Sequence, residues 1–155
     1  MSCKLFLSWV DVDSYCDNIH TQLANVNIDK IIAVGRGGYV PGVILSNRMN
    51  CRNVTSMITK SYTDSNEQTS LHITQEPVLG ECKHILVVDD IVDSGVTFKY
   101  IHKYLSEKCA ANMPKITFVA LVYKPNKEFN IDVFGAMADN TDWIVFPWEC
   151  RSLHG

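Results

Sequence analysis

Long apolar runs are missing from this chain: no stretch approaches the roughly 20 residues that a membrane-spanning helix needs. The N-terminal apolar segment, residues 5–9, is too short for a secretory leader and is followed at once by Asp11 and Asp13. The expected location is therefore the cytoplasm. An excess of basic charge is missing too. The chain has 14 Lys and Arg against 17 Asp and Glu, a net charge of −3, so no overall positive field draws it to nucleic acid or to an anionic membrane. Any phosphate it binds has to be gripped by local geometry. The six cysteines, Cys3, Cys16, Cys51, Cys82, Cys109 and Cys150, form no C-x-x-C pair. That argues for reduced, scattered thiols rather than a disulfide framework or a zinc site. Cys150 and His154 have one half of a metal-ligand spacing without a second half. Neither common nucleotide fingerprint is present. There is no G-x-x-x-x-G-K-S/T, and a G-x-G-x-x-G beginning at Gly35 would need its third glycine at Val40.

What remains has the composition of one globular domain over residues 1–155. Hydrophobic residues make up 46%, enough to bury a core, and the length is too short for two ordinary domains. Helix and strand signals alternate. Residues 5–9 read as a short edge strand. Residues 12–25 read as a helix capped by Asp11 or Asp13, with Ile19, Leu23 and Val26 at helical spacing. Residues 30–34 are an almost wholly apolar run ending in glycine, the pattern of a strand buried on both faces. A helix over 40–49 tolerates Pro41 in its first turn, and the strand over 54–60 is rich in β-branched residues. Residues 61–80 are polar and turn-rich, with 71–74 alternating like an exposed strand. Residues 84–90 give the strongest strand. A helix follows over 97–108 with Phe98, Ile101 and Leu105 on one face, then a central strand over 116–124 and short strands over 131–134 and 143–146. The alternation predicts an α/β fold, a mostly parallel, twisted sheet flanked by helices. Ligands in such folds bind at the carboxyl ends of the strands.

The segment with the most chemistry runs from Ile85 to Thr97. Four apolar residues lead straight into Asp89 and Asp90; Asp93 comes three residues later, and Ser94-Gly95-Val96-Thr97 opens a helix. The strand delivers paired carboxylates to the sheet edge. The turn at Ser94 and Gly95 lets successive backbone N–H groups point inward, and the helix adds its partial positive end. With the hydroxyls of Ser94 and Thr97, these groups form a pocket for a phosphate monoester. Two acids beside such a pocket would repel an anion. Ribose hydroxyls, which donate hydrogen bonds, and Mg²⁺ at Asp89 and Asp90 both resolve the conflict. A sugar phosphate with free hydroxyls and a metal-chelating diphosphate satisfies every group.

Other segments are ambiguous alone. Gly35 and Gly37 let a backbone approach an anion closely, and Arg36 between them supplies a fork of donors for phosphate oxygens, yet a plain tight turn has the same composition. Ser61 and Tyr62 lie in a polar stretch that reads as a solvated loop. Lys124 ends a long apolar strand, where a lysine is usually solvated, and Trp143, Ile144 and the Phe146-Pro147-Trp148-Glu149 segment have the character of core residues near a C-terminus.

Taken together the motifs resemble the type I phosphoribosyltransferases, in particular the short bacterial xanthine–guanine members. The likeness runs through I-I-A-V-x-R-G-G-x-V-P-G, S-Y, V-V-D-D-x-V-D-S-G, K-P and W-I-x-x-P-W. It implies transfer of the phosphoribosyl group from 5-phosphoribosyl 1-diphosphate to a 6-oxopurine (guanine, xanthine or hypoxanthine) in purine salvage, with Mg²⁺, by a homodimer or homotetramer. By position, Asp89 and Asp90 would meet the ribose hydroxyls and metal, and Asp93, Ser94, Gly95, Val96 and Thr97 the 5′-phosphate. Family members often have glycine where this chain has Val96, a mild departure because the amide is what matters. Gly35, Arg36 and Gly37 would form the pyrophosphate loop, with a non-proline cis bond expected between Gly35 and Arg36. Ser61 and Tyr62 would sit on a flexible loop that closes over the site. Lys124 would donate to the base O6, Trp143 would stack on the ring, and carbonyls near Ile144 would accept from its nitrogens, under a small C-terminal hood. Asp93 would exchange a proton near N7. Residues 103–115 and 126–141 correspond poorly. The rival readings are a non-catalytic regulator with the same fold, a transferase for another base and a paired-metal nucleotide enzyme. The first would need no turnover; Lys124 argues against adenine, and the third wants more clustered acids.

Overall fold

The structure, a computed structural model, describes residues 3–150; His154 lies outside them. Its elements are β1 (Lys4–Phe6), α1 (Trp9–Gln22), β2 (Lys30–Gly35), α2 (Tyr39–Arg48), β3 (Val54–Thr63), β4 (Thr69–Gln75), β5 (His84–Val92), α3 (Val96–Lys108), β6 (Lys115–Tyr123), β7 (Val133–Met137), β8 (Trp143–Val145) and a short 3-10 turn, Pro147–Glu149. Six strands form one sheet in the order β4-β3-β2-β5-β6-β7. All neighbours are parallel except β3 and β4.

The apolar runs split by parity, as a strand's alternating side chains require. Ile31, Leu86, Val88, Val119 and Leu121 pack with Val12, Cys16 and Ile19 of α1 and Leu45 of α2. Ile32, Val34, Ile85, Val87, Phe118 and Ala120 pack on the other face with Phe98, Ile101 and Leu105 of α3. Both faces are covered, which is why these strands read as continuous hydrophobic stretches. From β2 the chain crosses through α2 to β3 on one side, and from β5 through α3 to β6 on the other. The strand order therefore reverses between β2 and β5. A crevice opens beyond the carboxyl ends at such a switch point, and it falls between the glycine loop and the acid pair.

Three local expectations need correction. Helix α1 begins at Trp9, not residue 12. Its cap is Ser8, whose side chain accepts from the Asp11 amide while Asp11 accepts from the Ser8 amide at 2.7 Å. This reciprocal arrangement leaves Asp11 inside the first turn and shortens the preceding strand to Lys4–Phe6. That strand is not an edge of the main sheet. It pairs with β8 in a separate two-stranded parallel sheet, Leu5 opposite Ile144, so both chain ends build the hood. Finally, the polar region from residue 61 is not a loop: β3 runs on to Thr63 and pairs antiparallel with β4. Its turn is held by Asp64, which accepts from the amides of Asn66 and Gln68 at 2.9 Å each. Solvent on both faces hid its strand periodicity.

Among the described residues, no helix is long and apolar enough to cross a membrane. All six cysteines are free thiols.

Candidate active site

The carboxylates of Asp89 and Asp90 lie within the last turns of pleat in β5, two residues before its end at Val92. The Asp90 amide donates to Asp89 Oδ1 at 2.8 Å, and the Ile91 amide to Asp90 Oδ1 at 2.8 Å. Each residue keeps some exposed surface, but the carboxyl groups are hemmed in by protein. Loss of hydration, then the neighbouring Asp90 charge, raises the Asp89 carboxyl well above its ordinary value. Loss of hydration also raises Asp90, and the Glu149 charge adds to it. Glu149 is a site neighbour that sequence reasoning missed. Its nearness to Asp90 is purely tertiary, created when the 3-10 turn folds back under the hood, where Glu149 also accepts from the Phe146 amide at 2.9 Å.

Across the switch point, the peptide between Gly35 and Arg36 is cis, as expected from the resemblance. Three features show why glycines occupy this loop. A Cβ at Gly35 would enter the Tyr39 ring, one at Gly37 would collide with the Asp90 carboxylate, and one at Gly38 would meet the carbonyl oxygens of Val34 and Val88. The Asp90 carboxylate thus rests directly on the Gly37 backbone. The predicted ribose and pyrophosphate elements share one crevice. Arg36 is exposed, and its side chain has no hydrogen-bond or ion-pair partner among the described residues.

After β5 the chain bends through Ser94 and Gly95 into α3. Gly95 has φ +84° and occupies the helix N-cap with no side-chain cap. That conformation favours glycine, and it leaves the first amides of α3 without intrahelical partners. They face a cavity of about 110 Å³ whose walls include Asp89, Asp93, Gly95 and Thr97. Asp89 and the turn therefore open onto the same space, while the Asp90 carboxylate lies against the glycine loop. Exposed Val96 contributes its amide to this turn and its side chain to solvent.

Lys124 is not solvated at its strand end; it is 5% exposed. Its Nζ donates to the carbonyl of Asp142 at 2.6 Å and stands 3.5 Å from Asp93 Oδ2. A single ammonium thus links the start of the turn after β5 to the segment that opens β8. Trp143 follows at once, 65% exposed, with its amide donating to Cys3 O at 2.8 Å, and Ile144 is half-buried beside it. An exposed ring one residue beyond the carbonyl that anchors a buried cation can serve as a platform for a flat, polar ligand.

Ser61 and Tyr62 are not brought to this centre. Gly35 pairs with Ile58, so Tyr62 lies four residues farther along β3, about 13 Å beyond the sheet edge at ~3.3 Å per residue. Its ring packs edge-on against His72 at 5.2 Å. A larger concavity, about 790 Å³, is elsewhere again, at the amino ends of the strands beside Asp29, Cys82 and Pro114. None of the predicted site residues lines it.

The donor set can hold a divalent cation only in part. No three His, Cys, Asp or Glu side chains converge among the described residues. Two raised carboxylates side by side do favour a cation that takes its remaining ligands from water and a bound phosphate, the habit of a small octahedral ion. They do not form a closed protein cage.

Comparison with known proteins agrees with this arrangement. The phosphoribosyl transferase domain family matches residues 8–154. The xanthine-guanine phosphoribosyltransferase of Idiomarina loihiensis is 33% identical over 153 residues, covering 97% of this chain and 89% of that protein. Its namesake from Gluconobacter oxydans is 35% identical over 126 residues, 79% of this chain and 70% of that protein. Among solved structures, the Helicobacter pylori xanthine-guanine-hypoxanthine phosphoribosyltransferase superposes with a TM-score of 0.83 at 28% identity, covering 94% of each chain. The purine phosphoribosyltransferase from Pyrococcus horikoshii gives 0.81 at 26% identity, covering 98% of this chain and 97% of that one. With its acid pair, cis glycine loop and uncapped helix start meeting at the switch point, and relatives matched along almost its whole length, this chain belongs to the phosphoribosyl transferase family.

Proposed function

We propose that the protein transfers the phosphoribosyl group of 5-phosphoribosyl 1-diphosphate to a 6-oxopurine, guanine, xanthine or hypoxanthine, releasing pyrophosphate and forming a nucleoside monophosphate for purine salvage. The observation that carries this reading is the position of Lys124 Nζ, 2.6 Å from the Asp142 carbonyl and 3.5 Å from Asp93. It places a fixed cationic donor beside an aromatic platform, adjoining a pocket suited to a sugar phosphate. The names of the relatives support the same substrate class. The reading includes the cytoplasmic location and the homodimer or homotetramer that the resemblance implies.

In this reading the 5′-phosphate accepts hydrogen bonds from the amides of Val96 and Thr97, displacing the weak 3.4 Å bond from the Val96 amide to Ser94 Oγ, and from the hydroxyls of Ser94 and Thr97. Asp89 and Asp90 accept from the ribose hydroxyls. The same two residues would hold Mg²⁺, which when bound offsets the charge of the diphosphate and of the departing pyrophosphate. The backbone of Gly35 to Gly37 and the Arg36 guanidinium grip the diphosphate. As the bond from C1 to the pyrophosphate oxygen breaks, positive charge builds on the ribose, and a base nitrogen closes on C1 from the opposite face. Lys124 donates to O6, and Trp143 fixes the plane of the ring. Asp93, whose carboxylate is largely exposed and adjoins Lys124, takes the proton that the purine must lose near N7. Most of the acceleration comes from holding the two reactants in line in a charged, pre-formed site.

The test is a panel of initial rates with guanine, xanthine, hypoxanthine and adenine in the presence of the sugar diphosphate and Mg²⁺. Pyrophosphate release with at least one 6-oxopurine and none with adenine is expected. Calorimetric binding of the sugar diphosphate without turnover of any base would make the protein a sensor built on the transferase fold.

A further inference from the structure

Between Lys124 and β7 lies a segment whose sequence corresponds poorly to the family pattern, and its first polar residue, Asn126, stands behind the phosphate turn. A Cβ added at Gly95 would fall within the Asn126 side-chain amide, 2.9 Å from Cγ and 3.1 Å from Nδ2. The amide, its oxygen nearest, therefore fills the place a side chain would take on the one residue whose left-handed conformation makes the turn. Three of the four bonding directions of that amide are used. Oδ1 accepts from the amides of Glu128 at 3.0 Å and Phe129 at 2.9 Å, and Nδ2 donates to the carbonyl of Lys124 at 3.1 Å. The loop that carries it is itself clasped to α3. Glu128 pairs with Lys99 at 2.7 Å, and the Phe129 ring packs on Phe98 and Phe118 at 5.7 and 4.8 Å.

An Asn that only closes its own turn needs no more than the acceptor oxygen. Here the second half of the amide ties down the backbone of the base-side lysine, while the whole group fills the space behind the phosphate turn. We infer that Asn126 is a positioning residue for the transfer reaction, holding the amides of Ser94 to Thr97 and the Lys124 backbone at a fixed separation. This rests on the transferase reading above. Asn126 reaches the ligand only through Gly95 and Lys124, so its loss loosens binding more than it slows the chemical step. Loss of uniform binding appears as a raised KM with kcat retained.

The experiment compares the parent protein with Asn126→Ser and Asn126→Ala in steady-state kinetics, varying the sugar diphosphate at saturating guanine and then the reverse, alongside thermal melts. Serine keeps an acceptor for the two loop amides, as short hydroxyl-capped turns do, but is too short to fill the space behind Gly95 or to reach the Lys124 carbonyl. The expected result is a rise of about tenfold in KM for the sugar diphosphate in both variants, with kcat within about twofold and Asn126→Ser melting close to the parent. A merely structural role would lower the active fraction, moving the maximal rate and leaving KM alone, and Asn126→Ser would restore it. That result overturns the inference, and Asn126→Ser decides it even if Asn126→Ala does not fold. A parent protein that shows no turnover overturns the transferase reading and this inference with it; a parent that turns over normally beside a serine variant of unchanged KM overturns this inference alone.

Discussion

Replacing Lys124 by methionine separates the base pocket from the rest of the site. The ammonium has three protons. One goes to the Asp142 carbonyl at 2.6 Å and one points toward Asp93 at 3.5 Å, which leaves one for a purine O6. Methionine has nearly the same length and apolar stem, so packing in the buried channel survives, but every donor is lost. A hydrogen bond from a charged donor contributes about 1.5–3 kcal/mol, which corresponds to a loss of about 10- to 150-fold in affinity for the base. The fold should tolerate the change. An Asp142 carbonyl left unpaired costs stability, but an ammonium no longer has to be kept out of water, and the two effects oppose each other. Initial rates with guanine varied at saturating sugar diphosphate should show KM for guanine raised within that range, while KM for the sugar diphosphate stays within about threefold, because the substitution removes only the Asp93 ion pair at the edge of the turn and keeps the turn's amides and hydroxyls. A guanine KM within twofold of the parent value, in a variant that melts normally, would mean that the base does not meet Lys124.

Two further substitutions probe the acids. Burial and mutual repulsion raise Asp89 above its unfolded value, so its folded-state contribution is complete only below the unfolded value, about pH 4, and is lost as pH climbs through the raised folded value. Asp89→Asn should therefore raise the melting temperature of the ligand-free protein at pH 7, give no gain near pH 3.5, and weaken binding of the sugar diphosphate; an unchanged or lower melting temperature at pH 7 contradicts the argument. Asp93→Asn keeps the shape and removes the base near Lys124, so kcat should fall by about 10²-fold or more with little change in either KM, and an unaltered kcat would rule out proton transfer by this residue.

The parts of the fold that were legible before any coordinates are those buried on two sides. Residues 30–34, 84–90 and 116–124 announce themselves because both faces of each strand meet helices, so polar residues are nearly confined to their ends, Thr117 excepted. The extension of β3 beyond Lys60 was illegible for the opposite reason, since its residues are exposed on both faces, whereas the alternation at 71–74 marked the centre of β4 without its full length. The pairing of β1 with β8 joins the two ends of the chain, and no local signal marks a contact that distant. At the site, side-chain chemistry was readable and backbone chemistry was not. Asp89, Asp90 and Gly95 could be picked out by residue type and spacing. The Asp142 carbonyl that anchors Lys124, the collision that excludes a side chain at Gly37, and the approach of Glu149 to Asp90 come only from folding. Asn126 is intermediate: an Asn just after Lys-Pro is a turn signal, but nothing in the sequence says that the turn leans on Gly95.

The distribution of costly features points the same way as the comparisons do. Away from the carboxyl edge of the sheet the buried polar groups are paired: even Lys30, buried at the amino end of β2, donates to Asn53 Oδ1 and the Val78 carbonyl, and no buried side-chain nitrogen or oxygen lacks a partner among the described residues. At that edge, several rules are broken together. Two carboxylates adjoin with raised proton affinity, a lysine is buried, and a helix begins without a side-chain cap. Each of these opposes folding when taken alone, and concentrations of such conflicts mark functional sites. Each is also complementary to a different part of one ligand pair: the acids to hydroxyls and a cation, the uncapped amides to a phosphate, the lysine to a ring oxygen. A ligand that satisfied only one of them would leave the other costs in place. The sugar diphosphate and a 6-oxopurine, bound side by side, answer them all, so the two substrates together should raise the melting temperature by more than a buffer phosphate or a free base does alone.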